Sequence, residues 1–300
     1  MSRLRLPALW GRLAITVGMV WLQGYVGWSP ALANVIVGLG DAPGGDPDGR
    51  GSLLAVAPEF GLDASQTDVV RSAVGYVICR FATSSDPHSK KQGTGFIAER
   101  QDIVVTAAHV FAEALAASPL HGLDQCFFQQ QRAPYTKYPL RIDAGHAILG
   151  TARATDAADK PAHDWAVVRL DAPIDTAVPL PIRRAGPAAL ERILAVSATQ
   201  AGVGQKVDVH VPVATICNVR DIVRGLFLTD CDASEGASGG PALVLGEGGA
   251  ARVVGLTYGT GRPEFDGEAY SSQTASQTVM VQAFPEVVDA IGKLESRVDK

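Results

Sequence analysis

The stretch from Cys231 to Pro241 reads Cys-Asp-Ala-Ser-Glu-Gly-Ala-Ser-Gly-Gly-Pro. Ser238 follows Gly236 by two positions and directly precedes Gly239 and Gly240. Glycine lets a backbone approach a ligand closely and take conformations closed to other residues. A nucleophilic serine has those needs: an exposed hydroxyl, and N–H groups converging where a carbonyl oxygen becomes negative. A neutral alcohol also needs a base within hydrogen-bond reach, and an acid to orient that base. Two chain orders come into question, serine–acid–histidine and histidine–acid–serine. The six histidines (His88, His109, His121, His146, His163 and His210) all precede Ser238, so only the second order survives.

Two upstream stretches complete that order. Thr106-Ala107-Ala108-His109 follows the apolar run Ile103-Val104-Val105, and Asp164 opens Trp165-Ala166-Val167-Val168-Arg169-Leu170. His163 adjoins the aspartate but lacks the Thr-Ala-Ala context. Together the three stretches resemble the T-A-A-H, D-I-A-L-like and G-D-S-G-G-P stretches of the trypsin/chymotrypsin-like serine peptidases, bacterial exported type, over about residues 71 to 290. The resemblance implies an all-β fold of two antiparallel β-barrels with a short C-terminal helix. It implies a serine endopeptidase that works through an acyl-enzyme and needs no cofactor or metal. Ser238 would be nucleophile, His109 the base and later acid, and Asp164 the group that fixes the imidazole. The N–H groups of Gly236 and Ser238 would form the oxyanion hole. The alternatives are an inactive binding protein of the same fold and an esterase using the same three residues.

The resemblance also suggests how a polypeptide substrate is held. Val254-Gly255-Leu256-Thr257-Tyr258-Gly259 resembles the strand that pairs with substrate backbone, with Gly259 leaving the pocket mouth open. Glutamyl endopeptidases carry histidine where Thr257 stands, which argues against acidic specificity. Asp232 precedes Ser238 by six, the spacing of the pocket acid in trypsin-like enzymes. There it would select Arg or Lys by charge pairing, and the competing reading is a structural acid. Animal digestive enzymes have aspartate just before the serine, paired with a new N-terminal ammonium after cleavage. Ala237 stands at that position, so the oxyanion loop is expected to form without this switch. Trimming residues 34 to 50 is then expected to leave activity in place.

The composition is that of a globular chain, 47% hydrophobic and 19% charged over 300 residues. Arg3, Arg5 and Arg12, an apolar run over 13–28 and Ala31-Leu32-Ala33 form an export signal, with cleavage expected before Asn34. Its removal takes away three arginines and no acids, so the formal charge moves from −5 to −8. No basic patch points to nucleic acid, and no stable membrane insertion is expected after cleavage, so the mature protein is read as periplasmic or secreted. The oligomeric state is left open. Four cysteines in an oxidising compartment favour two disulfides, with three possible connectivities. The resemblance to bacterial peptidases implies Cys217–Cys231, which leaves Cys79 with Cys126.

Behind the signal, residues 34–70 read as a linker or pro-segment, rich in Gly, Asp and Pro at first, with a short helix or surface arm over 52–70. The peptidase domain is expected over 71–300, its first barrel over about 71–182 and its second over about 186–283. Strands are expected at 72–81, 93–98, 103–106, 140–142, 144–149 and 165–170. His109 should sit where a strand gives way to a helix over 110–117. After a crossover at 179–188, strands are expected at 192–197, 206–213, 226–229, 241–245, 253–258 and 278–282. A helix over about 285–296 closes the chain, with Val288, Ile291 and Leu294 as its buried stripe.

Overall fold

Leu53, Ala57 and Phe60 recur at the spacing that gathers side chains on one helical face, and all three are buried. They belong to α1 (Leu53–Phe60), which follows the two-residue strand β1 (Gly51–Ser52). Gly61, in the left-handed conformation, caps α1, and its N–H donates to the carbonyls of Ala57 and Pro58. Asp63 caps α2 (Ala64–Ala73), accepting from the Gln66 N–H at 2.8 Å. The structure is a computed structural model that describes residues 50–81, 89–112, 126–153, 160–199, 208, 210–223, 226–259, 276–279 and 284–296. The residues read as an export signal and the Gly/Asp-rich segment to residue 49 lie outside the described residues, as does the helix expected beyond 112. From residue 50 onward the segment read as linker or arm is built into the fold, because its apolar face has a core to join.

Seven strands form an antiparallel first sheet, in the order β6-β5-β2-β3-β4-β8-β7. They are β2 (Val74–Phe81), β3 (Ser89–Ile97), β4 (Ile103–Thr106), β5 (Cys126–Gln130), β6 (Lys137–Pro139), β7 (Ala147–Leu149) and β8 (Ala166–Arg169). The continuous apolar run of β4 is buried on both faces, and it pairs with β3 and β8. β5 was not expected from the sequence. Its Gln130 points inward and is satisfied there, donating to the Ser72 carbonyl and accepting from the Thr176 hydroxyl. Residues 140–142, expected as a strand, have no ladder, and pairing falls instead on Lys137–Pro139. Cys79 and Cys126 stand directly opposite each other on β2 and β5 and are disulfide-bonded.

The second sheet holds β9 (Arg192–Ser197), β10 (Val213–Val223), β11 (Leu226–Thr229), β12 (Pro241–Leu245), β13 (Ala251–Gly259) and β14 (Ser276–Val279), with β1 at its edge. These six strands close on themselves, because β10 pairs with β9 through its first half and with β11 through its second. A register shift between Val219 and Asp221 makes that corner. The sequence placed this strand too early, at 206–213, because Asn218, Arg220 and Asp221 interrupt its apolar pattern. Asp230 absorbs two of them, accepting from the Asn218 N–H and from the Arg220 guanidinium. A second disulfide joins Cys217 on β10 to Cys231, just past β11. The arm lies along this sheet: Gly51 pairs with Ala214, Ser52 with Val213, and α1 packs on β9 and β10. The closing helix α3 (Phe284–Glu295) packs instead on the first sheet's β7 and β8, burying Val287, Ala290, Ile291 and Leu294.

The crossover is bonded to both sheets. Leu180 bridges Ala98, and Ile182 bridges Val253. Arg183 then grips Glu191 with two 2.8 Å bonds. Burial pushes the Glu191 carboxyl upward, but the Arg183 bonds and charge and the Ala188 N–H outweigh it and hold the group below its ordinary 4.5. A carboxyl lowered on folding contributes stability above its unfolded value and loses it as pH falls through the folded one. Urea titrations should therefore show the wild-type midpoint dropping as pH falls below about 4.5. Glu191→Gln should lower the midpoint at pH 7 and make the acid decline shallower.

Candidate active site

Thr106, at the end of β4, ends the apolar run, and residues 109–112 are helical, so His109 stands at the junction. Three bonds fasten this turn to Asp164. The Ala108 N–H donates to the Asp164 carbonyl at 3.3 Å, and the His109 N–H to Asp164 Oδ1 at 2.8 Å. His109 Nδ1 meets Asp164 Oδ2 in the third. The carboxylate side chain is 4% exposed and the imidazole 35%, so the acid is sealed while the base reaches solvent. Trp165, fully buried, follows Asp164 into the core. His163 turns the other way, with Nδ1 3.4 Å from Glu286 on α3.

The Ser238 segment comes from the other sheet and lies against the same turn. Gly239 has φ +87°, and a Cβ there would sit 2.2 Å from the Thr94 carbonyl oxygen and 2.4 Å from Thr106 Oγ1. Only a residue without a side chain fits. The Thr94 N–H donates to the Ser238 carbonyl at 2.8 Å. On the far side, the Gly239 N–H donates to the Thr257 carbonyl and the Thr257 N–H to that of Gly240. β13 shifts register between Thr257 and Gly259, and the Tyr258 carbonyl accepts the Ser238 hydroxyl at 3.3 Å. The Tyr258 ring stands edge-on to the His109 ring, centroids 5.9 Å apart. Tyr258 therefore borders both residues, its ring beside His109 and its carbonyl bonded to the serine hydroxyl. Burial, and then the nearby Asp164 charge, push the Tyr258 phenol above its ordinary value, so it stays protonated at neutral pH.

Backbone donors complete the site. The Ala237 N–H donates to the Ser234 carbonyl, and the Gly240 N–H to that of Ala237. Among the described residues, the N–H groups of Gly236 and Ser238 find no acceptor. Gly236 has φ +86°, and its carbonyl accepts the Thr94 hydroxyl at 2.8 Å. That hydroxyl also accepts the Ala198 N–H at 3.0 Å, so Thr94 joins the serine loop to the end of β9. Thr94 was not among the residues expected from the sequence; its setting between Gly93 and Gly95 was the available signal.

The other predicted residues fall in two places. Thr257 is buried and Tyr258 half-buried beside the serine, while Gly259 faces open space. Asp232 is 5% exposed and lines a cavity behind the loop with Arg50, Ser197, Ala214 and Thr215. Cys217–Cys231 ties the start of the loop to β10. Among the described residues, no cluster of three or more His, Cys, Asp or Glu side chains is arranged to hold a metal ion.

Residues 93–256 match the trypsin-like peptidase domain family, more than half of the chain, and the protein belongs to that family. Comparison with curated proteins finds no match. The all-β fold of the family is the fold described above, and a peptidase domain takes polypeptides as substrates.

Thr94 and Gly239 give the seam a direct test. Thr94→Val removes the hydroxyl and strands a buried carbonyl and N–H, which should cost about 1–3 kcal/mol in urea unfolding. Thr94→Ser should recover most of it. Gly239→Ala should lower stability further, since a Cβ there meets backbone atoms and the positive φ is strained.

Proposed function

We propose that the protein is a serine endopeptidase with Ser238, His109 and Asp164 as its catalytic residues. The observation that carries this reading is the His109 imidazole, bonded at Nδ1 to a sealed carboxylate and edge-on to the ring of Tyr258, the residue whose carbonyl accepts the Ser238 hydroxyl. An Nδ1–H donated to Asp164 leaves Nε2 with its lone pair, the tautomer a general base requires. Rotation of Ser238 about χ1 moves its hydroxyl between staggered wells. Catalytic hydrogen bonds of this kind commonly tighten only when substrate is bound.

In the reaction, Nε2 takes the Ser238 proton as the oxygen attacks the substrate carbonyl carbon. The carbonyl π pair moves onto oxygen, and the N–H groups of Gly236 and Ser238 receive the charge. Collapse breaks the C–N bond, and the imidazolium gives its proton to the departing amine. Water, deprotonated by the same imidazole, then attacks the acyl-enzyme and releases the acid, returning the proton to Ser238. Substrate backbone would run beside Thr257, Tyr258 and Gly259. Two disulfides suit an exported protein. Among the described residues no helix is long and apolar enough to cross a membrane. We place the mature chain in the periplasm or the medium.

A fluorophosphonate probe should label the wild-type protein and not Ser238→Ala, and an unlabelled wild type would mean a binding protein. Ser238→Ala and His109→Ala should each lower kcat/KM on peptide amides by about 10⁴ or more, and Asp164→Asn by about 10⁴. Hydrolysis of esters with no hydrolysis of matched amides would assign an esterase instead.

A further inference from the structure

The serine loop has one contact that the reaction above does not use. Arg50, the residue before β1, is only 4% exposed. Its guanidinium donates to the Ser234 hydroxyl, 184 positions away. A buried guanidinium persists only where partners replace its lost hydration. The cavity it enters lies between β9, β10 and residues 231–237, and the buried Asp232 carboxylate lines the same space. There is room left for about one water molecule. The backbone beside Arg50 is fixed: β1 is paired to β10, and the Leu53 N–H donates to the Pro212 carbonyl at 2.8 Å.

Ser234 in turn governs the loop. Its carbonyl accepts the Ala237 N–H at 3.0 Å, which closes the turn over Glu235 and Gly236. That turn aims the Gly236 N–H, and Ala237 leads directly into Ser238. Two side chains hold the turn from outside the loop. Thr94 holds the Gly236 carbonyl from the first sheet, and Arg50 holds Ser234 from the arm.

We propose that Arg50 is a positioning residue for the oxyanion loop: its buried guanidinium, carried by the N-terminal arm, keeps residues 231–237 in the shape that presents the Gly236 and Ser238 N–H groups. The proposal rests on the serine-hydrolase reading. It gives Asp232 a different part from that expected of a pocket acid, since its buried carboxylate lines the cavity that the arm's own guanidinium enters. It also revises the expectation that residues 34 to 50 can be removed without loss: the last of them is the one that matters.

The test compares full-length wild type, Arg50→Gln, Arg50→Lys and Ser234→Ala. Arg50→Gln should lower kcat on peptide amides about 10- to 100-fold, less than the roughly 10²–10³ for outright loss of an oxyanion donor. KM should stay within about twofold. Arg50→Lys should regain part of the loss, and Ser234→Ala should lower kcat in the same direction. Amides with Arg or Leu before the scissile bond should lose rate alike. Amide hydrogen exchange gives a readout independent of turnover: the Ala237 N–H should exchange faster in Arg50→Gln than in wild type. A folded Arg50→Gln with wild-type kcat and wild-type exchange at Ala237 overturns the proposal. So does a loss confined to substrates with Arg before the scissile bond. If Arg50→Gln does not fold, Ser234→Ala with wild-type kcat and exchange overturns it equally. A wild type that neither hydrolyses nor labels, yet whose exchange at Ala237 responds to Arg50→Gln, overturns the hydrolase reading and leaves the tether standing.

Discussion

The backbone of Ser238 and Gly239 lies against β3 and the end of β4 with no space for a side chain between them. Around that contact the two sheets are brought together. The Thr94 N–H takes the Ser238 carbonyl, the Thr94 hydroxyl takes the Gly236 carbonyl, and the Thr106 hydroxyl donates to the Thr94 carbonyl at 2.6 Å. Three residues later on the same strand end comes His109. The distance between serine and histidine is therefore set by main-chain packing and not by a bond between the two side chains. Side chains that meet this way can be rearranged by a substrate without the scaffold moving.

The groups around the site divide by solvation. Asp164 is sealed, with three bonds to the turn that bears His109, and the apolar β4 and β8 pair directly behind it. His109 and Ser238 are partly open. Sealing the acid strengthens its hold on the imidazole, because charge interactions gain in a low-dielectric setting. The imidazole, by contrast, keeps access to solvent. Tyr258 links the two sides: its ring borders His109, its carbonyl accepts the Ser238 hydroxyl, and burial and the Asp164 charge raise its phenol above the ordinary value.

The strands legible in the sequence are those whose surroundings are uniform. β4, β9, β11 and β12 have the expected limits, since each is a short apolar run between turn residues. β5 and the later part of β10 escaped because polar side chains on them are paired within the fold: Gln130 with Ser72 and Thr176, and Arg220 with Asp230, which also takes the Asn218 backbone N–H. The residues of the candidate site could be picked out because hydroxyl, imidazole, carboxylate and glycine are each demanded by a different part of the chemistry. Their supports could not. A threonine between glycines and an arginine ending a Gly- and Asp-rich segment look like loop residues until the chain has folded. Residues 52–70 were similarly ambiguous, because Leu53, Ala57 and Phe60 declare a helical face only when there is a sheet to cover.

The crossover at residues 180–183 is usually imagined as a strap between halves, yet here it is woven into both. On one side the Leu180 N–H donates to the Ile97 carbonyl, the Leu180 carbonyl accepts the Glu99 N–H, and the Glu99 carboxylate accepts the Ile182 N–H; on the other the Pro181 carbonyl and the Arg183 N–H bond Val253. A linker bonded at each successive residue leaves no free stretch there for a hinge of the kind clamshell domains use. A polypeptide arriving at Ser238 would meet a serine loop already bonded to both sheets. Capture then depends on the incoming chain adopting an extended shape and the right orientation, and the entropy of that ordering falls on the guest rather than on the host.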